Sequence, residues 1–381
     1  MNFSFTDHEN SLFQEMESIL KKEKDIFEND TLQTEKDKKL AMLALQEKLF
    51  PLGYLNGFQE KKSIGPVNTL GMMRIFARYQ ASLFLGIEYS CRIFNEMIQC
   101  AKDDDQRQKI QNALNIESLP DPKIIGTIAC CEDFVETDTT SSKVTAQVID
   151  DEIFLSGQKL CVINASLANW IAITGNFDDK GAVFFIPSSA KGLSIKPRSQ
   201  KGIFSDLMMA DIHFDSCLLN RSQMIVPVQL DVLISHIQSY ENMAYTACAL
   251  GMIDQCVESA STFAKTHQSE NKPMIAHQAV AFALAEMLTL KQTAELLAFR
   301  AAWALETDDS EKAVLNHCAK VFCTETAEKV ASQSMGILGG QVFQDNHVAE
   351  QAFQNSKFIQ LAGTSTHLAR VSIGNAVLKR R

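Results

Sequence analysis

The chain has 381 residues, 46% of them hydrophobic and 22% charged, with a formal net charge of −10. That length calls for two or three packed layers or domains, and the composition is that of a globular rather than a disordered protein. The acidic balance excludes a general nucleic-acid binder, because Lys61-Lys62 and Lys379-Arg380-Arg381 are short solvated clusters and no basic stripe runs along the chain.

Residues 1–123 are rich in Glu, Lys, Leu, Met and Gln and poor in Gly. Apolar residues return at three- and four-residue steps at Leu12, Met16, Ile19 and Leu20, and again at Leu40, Leu43, Leu45, Leu49 and Phe50. Met72-Met73-Ile75-Phe76, followed by Leu83 to Ile98, predicts a longer buried helix. From 124 to 226 the texture changes. Val144 to Ile149 alternates and is β-branched, and Ile153-Phe154-Leu155 runs into the Ser156-Gly157 turn signal. Trp170 to Gly175 and Ala182 to Pro187 are short apolar runs ended by Gly or Pro, which predicts an antiparallel β-domain. From 227 to 381 the helical period returns, with helices expected at about 230–266, 277–306, 311–338, 346–360 and 364–379. Pro273 sits in the connection before the second of these, and Gly339-Gly340 ends the third. The expected architecture is α+β and multidomain: an N-terminal helical domain (1–123), a middle antiparallel β-domain (124–226) and a C-terminal helical bundle (227–381).

Ten cysteines include the adjacent Cys130 and Cys131 but no CxxC pair. The start MNFSFTDHEN has neither a basic nor an apolar leader region, and no stretch reaches the roughly 18 apolar residues of a membrane span. Reduced thiols in a cytoplasmic protein are expected. The eight histidines have no metal-ligand spacing, so no metal is expected; His277, His317, His347 and His367 read as helix-surface residues. Cys248 and Cys256 read as small core residues. Neither GxGxxG nor GxxxxGK[ST] occurs.

Several runs, in order, carry a resemblance. Gly126-Thr127-Ile128-Ala129-Cys130-Cys131-Glu132 is followed by Asp138, six residues after Glu132. Ser156-Gly157-Gln158-Lys159, Asn164-Ala165 and Ala168-Asn169-Trp170 come next, then Ala301-Ala302-Trp303, Gly339-Gly340 and Gly363-Thr364-Ser365. Together they resemble the acyl-CoA dehydrogenase family over most of the chain, most strongly from residue 124 onward. The resemblance implies that the last domain is a four-helix bundle and that FAD is the cofactor. It also implies a chemistry: a carboxylate takes the α-proton of an acyl thioester while the flavin N5 takes a hydride from the β-carbon. The implied partners are a thioester on CoA or a carrier protein, an electron-transfer flavoprotein or another acceptor, and further subunits, since the family usually forms tetramers.

In most of the family the base is a glutamate just before the Gly-Thr pair; here that position is Ala362. In isovaleryl- and long-chain acyl-CoA dehydrogenases the glutamate lies on a bundle helix, ten residues before a glycine. Prolyl dehydrogenases acting on carrier proteins look similar. Glu241 stands ten residues before Gly251, with Ala244, Ala247 and Cys248 between them as small residues at helical steps. The resemblance therefore implies Glu241 as the base, with a pKa raised by an apolar pocket. Asn242, where the family usually has arginine, falls on the substrate side.

At the flavin site the resemblance implies contacts from Cys131, Thr137, Ile163, Gln278, Gly339, Gly340, Thr364 and Thr366, with Thr137 also reaching the substrate. Several positions depart from the family pattern. Glu136-Thr137 replaces Gly-Ser, Cys161-Val162-Ile163 replaces Trp-x-Thr, and His267 to Asn271 replaces the Arg-x-x-Phe-Gly that reaches a pyrophosphate. Gly336 replaces a glutamine, and Gln354-Asn355 an Arg-Asp pair. Taken singly, Glu241 also reads as a solvated glutamate, Gln278 as a surface amide, Gly339-Gly340 as a helix stop and Thr364 as the N-cap of the last helix. Two functions follow. One is FAD-dependent α,β-dehydrogenation of an acyl thioester using Glu241. The alternative is a non-catalytic or half-site subunit of a heteromeric enzyme, with a degenerate flavin site. A flavin oxidase or monooxygenase on the same fold is a third, which no sequence feature selects.

Overall fold

A computed structural model describes residues 5–28, 34–56, 64–132, 142–198, 204, 207–343 and 347–379. The chain begins with helices α1 (Asp7–Glu28), α2 (Glu35–Leu49) and α3 (Pro66–Tyr79). Of the expected apolar steps, Met16, Leu20, Leu45 and Leu49 are buried, with Met42 beside them, whereas Leu40 is 56% exposed. A capping box opens α2: the Thr34 hydroxyl accepts from Asp37 N–H (3.1 Å), and the Asp37 carboxylate accepts from Thr34 N–H (3.2 Å). Pro66 starts α3, where its missing N–H costs nothing. The next amide, Val67 N–H, donates to the Glu306 carboxylate at 3.1 Å.

Where Met72 to Ile98 predicts one longer helix, the backbone turns extended at Gln80 (φ −156°, ψ 90°) and ends α3, and the chain then forms α4 (Ala81–Glu88) and α5 (Phe94–Gln99), joined by a π-helical turn at Tyr89–Ile93. The wider turn changes the register of the side chains after it. Two buried charges hold it in place. Arg92 Nε lies 2.9 Å from Glu88 Oε2, and its other nitrogens donate to the carbonyls of Tyr54 and Asn56 at 2.5 Å. The Tyr54 hydroxyl donates to Glu88 Oε1 (2.5 Å), so both ions are paired. Helix α6 (Asp104–Leu114) completes this part.

The middle of the chain forms one sheet from β1 (Gly126–Ala129), β2 (Thr145–Ile149), β3 (Glu152–Ile163), β4 (Trp170–Phe177), β5 (Lys180–Pro187), β6 (Leu193–Pro197), β7 (Met209–Leu219) and β8 (Met224–Ile225). Its order is β6-β7-β3-β2-β4-β5-β8, with β1 also beside β4. Most pairs are antiparallel, but β1 and β2 both run parallel to β4, β1 along Trp170–Ile173 and β2 at Asn176–Phe177. The sheet is therefore mixed rather than purely antiparallel. Alternation in sequence reports which face is buried and carries no information on strand direction. Strands β4 and β5 are buried almost throughout, which accounts for their continuous apolar runs.

The last part consists of α7 (Leu230–Thr266), a short hairpin of β9 (Gln268–Ser269) and β10 (Lys272–Pro273), then α8 (Gln278–Glu306), α9 (Lys312–Leu338), α10 (Val348–Leu361) and α11 (Thr366–Lys379). Helix α9 packs against α7, α8, α10 and α11, and α3 lies across α7 and α8. At the α3–α7 crossing a Cβ on Gly251 would stand 2.6 Å from Arg78 N and 2.8 Å from the Ala77 carbonyl carbon, so only glycine permits this approach. Beside it, Arg74 forks onto Asp254 (2.7 and 2.9 Å) and reaches Glu295 (2.9 Å), while Lys291 reaches Asp254 (2.7 Å). Burial opposes the charge on Asp254, but Arg74 and Lys291 hold its carboxyl below the usual range. The ten cysteines form no disulfide, and no helix among the described residues is long and apolar enough to cross a membrane.

Candidate active site

Glu241 and Tyr245 lie one turn apart on α7 and so share a face. Ala244, Ala247 and Cys248 are buried beside them, and their small side chains let other elements come close. Three elements do. The π-turn brings Tyr89, whose hydroxyl donates to Glu241 Oε1 (2.5 Å) and lies 2.8 Å from the Tyr245 hydroxyl. The connection between α10 and α11 brings Gly363, with φ +60°; a Cβ there would stand 2.9 Å from Glu241 Oε2 and 3.0 Å from Tyr245 Cε2. Helix α9 brings Lys320, whose Nζ donates to the carbonyls of Ala362 (2.7 Å) and Thr364 and lies 5.3 Å from the Tyr245 ring centre. Glu241 thus sits directly under the turn that carries Ala362.

The cluster is buried: Glu241 is 8% exposed, Tyr245 1% and Lys320 0%. Burial pushes the Glu241 carboxyl up, and the Tyr89 hydroxyl and Lys320 ammonium reverse only part of that. Burial pushes Lys320 down to about 7, against the pull of Glu241. Burial and the neighbouring Glu241 keep both tyrosines far above their ordinary range, so they remain phenols. Cys130, just after β1, lies within electrostatic reach of Glu241; burial chiefly raises its thiol to about 11. A desolvated carboxylate with one oxygen anchored and the other facing a tight turn can accept a proton from a bound carbon acid.

The expected substrate-side residue, Asn242, is 1% exposed. Its Nδ2 lies 3.3 Å from His317 Nδ1, and its Oδ1 is buried without a partner. His317 therefore belongs to the site and not to the solvated helix surface where its sequence context puts it. Burial, then Lys320, lowers its pKa, which keeps the ring neutral. His347 likewise caps α10, with Nδ1 accepting from Ala349 N–H at 3.2 Å.

The expected flavin contacts are spread more widely. Thr364 and Thr366 are both buried in the turn and at the start of α11. The cap of α11 is Ser365, whose hydroxyl accepts from Leu368 N–H (3.3 Å), and Thr364 Oγ1 is buried with no partner. Gly339 (φ +60°) and Gly340 are exposed, and a Cβ on either would meet nothing within 4 Å. Gln278 is exposed at the start of α8, and Cys131 is exposed beyond β1. Ile163 is buried in the core at the end of β3, where its carbonyl accepts from the Thr127 hydroxyl. Glu136, Thr137 and Asp138 lie outside the described residues. His267, just past the end of α7, stacks on Phe263 of that helix, ring centres 4.6 Å apart. The orphaned Thr364 hydroxyl and the open backbone at Gly339-Gly340 fit a dinucleotide such as FAD.

Sequence reasoning misses Tyr89, Tyr245 and Lys320. Tyr245 had a signal, being four residues after Glu241; Lys320 had a weaker one, as a lone lysine between Ala319 and Val321 on an apolar stretch. Tyr89 had none, because its direction depends on the π-turn.

Residues 234–378 match the family model described as acyl-CoA dehydrogenase, C-terminal domain. The mitochondrial short-chain specific acyl-CoA dehydrogenase of Bos taurus is 24% identical over 264 residues, 67% of this chain and 63% of that one. The chain thus aligns with just under two thirds of that relative's length. Among solved structures, butyryl-CoA dehydrogenase from Megasphaera elsdenii superposes with a TM-score of 0.86 at 16% identity, covering 99% of this chain and 100% of that one. A glutaryl-CoA dehydrogenase from Mycobacterium smegmatis in complex with FADH2 gives 0.83 at 14% identity, covering 98% and 95%. At such identities these two establish a shared fold.

Proposed function

Because the chain belongs to the acyl-CoA dehydrogenase family, we propose that it is a FAD-dependent oxidoreductase that desaturates the α,β-bond of an acyl thioester, with Glu241 as the base. Glu241 Oε2 under Gly363, beside the vacant tail position Ala362, is the observation that carries this function. FAD, when bound, supplies the hydride acceptor. Thr364, Thr366, Gly339, Gly340, Gln278, Cys131, Ile163 through its main chain, and Thr137 are the residues to hold it. Glu241 takes the α-proton on Oε2, and its raised pKa suits a base working near neutral pH. Asn242 Oδ1, buried and unpartnered, is a ready acceptor for an N–H of the thioester arm. The acyl group is carried by CoA or a carrier protein, electrons leave to an electron-transfer flavoprotein or another acceptor, and the chain works in an oligomer with copies of itself or with a related chain.

The alternative, a half-site subunit, draws support from His267, whose imidazole stacks on Phe263 where the family presents a guanidinium to phosphate. Reconstitution with FAD followed by anaerobic mixing with a panel of acyl-CoA and acyl-pantetheine thioesters separates the two. The expected result is a yellow protein that a thioester bleaches. Glu241→Gln should keep the flavin spectrum and bleach about 10²–10⁴-fold more slowly, the usual contribution of a general base. A chain that takes up no FAD points to the half-site subunit, and normal bleaching by Glu241→Gln removes Glu241 as the base.

A further inference from the structure

Among the described residues, the hydrogen bond to the Glu241 carboxylate comes from Tyr89, on a different part of the chain. Tyr89 is the first residue of the π-turn, and both of its flanks are pinned. Glu88 before it and Arg92 after it form the buried ion pair that is closed by the Tyr54 hydroxyl and two main-chain carbonyls. One turn earlier, the Gly86 carbonyl accepts from Asn164 Nδ2 (2.7 Å), which ties α4 to the end of β3. A tyrosine fixed in this way delivers its hydroxyl to one place.

That place is Oε1 and not Oε2. Tyr89 has a single proton and gives it to the carboxylate, the stronger acceptor, so the Tyr245 hydroxyl at 2.8 Å donates to the Tyr89 oxygen. The result is a chain from Tyr245 to Tyr89 to Glu241 Oε1 that leaves Oε2 alone at the Gly363 turn. We propose that Tyr89 is the positioning residue of the base: it holds Oε1, presents Oε2 to the substrate carbon, and owes its place to the π-turn. This rests on Glu241 being the base. Among the described residues, the titratable groups facing Glu241 are Tyr89 from the π-turn, Tyr245 from its own helix, Lys320 from α9 and Cys130 just after β1. Of these, Tyr89 alone bonds to the carboxylate, and by favouring the charged form it moves the acid limb of the reaction to lower pH, against the effect of burial.

The test uses the full-length, FAD-loaded protein and its Tyr89→Phe and Tyr245→Phe variants. Anaerobic bleaching is followed against pH. In parallel, the Glu241 carboxyl C=O band is read, without substrate, by infrared difference against Glu241→Gln. Tyr89→Phe should bleach about 10–100-fold more slowly, as expected for losing a hydrogen bond to a charged group. Its acid limb and its C=O band should both move to higher pH, while flavin content and thermal midpoint stay near wild type. Tyr245→Phe, which loses no bond to the carboxylate, should move both less. If Tyr89→Phe folds poorly, 3-fluorotyrosine at position 89 keeps the shape and strengthens the donor, and should move both signals to lower pH. Unmoved acid limb and C=O band in the Tyr89 variant overturn the proposal. If Glu241→Gln bleaches normally, the base assignment fails, yet the infrared band still reports whether Tyr89 governs the carboxyl.

Discussion

At Gly363 two physical demands meet in one residue. Its φ of +60° is a conformation that L side chains adopt reluctantly, and a Cβ would stand 2.9 Å from Glu241 Oε2 and 3.0 Å from the Tyr245 ring. Neither neighbour can give way cheaply, because Tyr89 holds the other carboxylate oxygen and Lys320 holds the carbonyls on both sides of the glycine. Gly363→Ala should therefore lose about 1–3 kcal/mol of stability from strain and overlap together. Its larger effect should be on proton abstraction, because the displaced atom is the reacting oxygen. Thermal midpoint and single-turnover bleaching measure the two separately; a midpoint loss without a rate loss would mean that Oε2 is not the reacting atom. This site was half legible in the sequence. The vacancy at Ala362 and the register of Glu241 with Gly251 are properties of spacing, and spacing survives without coordinates. Lys320 was only faintly legible, as a lone lysine on an apolar stretch, because its role depends on two carbonyls that lie far along the chain.

The same division holds for the elements. Helices α7 to α11 fall within a residue or two of the spans read from periodicity, because long helices with one buried stripe repeat their signal many times. The π-turn was invisible, since one extra residue in a turn leaves an apolar run such as Leu83 to Ile98 unchanged in composition. The parallel pairings of β1 and β2 with β4 were invisible for a related reason: strand direction is set by connections, not by side-chain alternation. The small residues of α7 mark a place of close approach. At Gly251 the approaching group is the α3 backbone at Ala77 and Arg78. Gly251→Ala gains about 1 kcal/mol of helix propensity but must push a main chain back by several tenths of an ångström, at about 1–3 kcal/mol. The clash should win, lowering the thermal midpoint and loosening the adjacent Arg74–Asp254 fork; a raised midpoint would show that α3 and α7 can slide apart freely.

Across the whole molecule, the site leaves a signature in how stability depends on pH. Lys320 titrates near 7 when folded and near 10.5 when unfolded. Between those values the unfolded chain binds the extra proton, so stability rises with pH there; below about 7 both states are protonated and the cost of the buried ammonium is fully present. Glu241 has the opposite sense. Its folded pKa is raised, so the native state keeps a proton that the unfolded chain has lost, and stability falls as pH rises from 4.5 toward the folded value. Buried Cys91, Cys248, Cys256 and Cys323, all raised by burial, add a further loss above about pH 9, because the unfolded thiols ionise first. Between pH 7 and 9 the buried lysines therefore contribute a stability that rises with pH. Lys159, also lowered by burial, contributes in the same direction, so the comparison must be made between proteins that share it. Wild-type midpoints should rise from pH 7 to 9 more steeply than those of Lys320→Met, whatever the variant's absolute loss from its missing bonds to Ala362 and Thr364. Equal slopes would mean that Lys320 stays charged throughout this window, held by its carbonyl acceptors, and that Glu241 works beside a permanent cation.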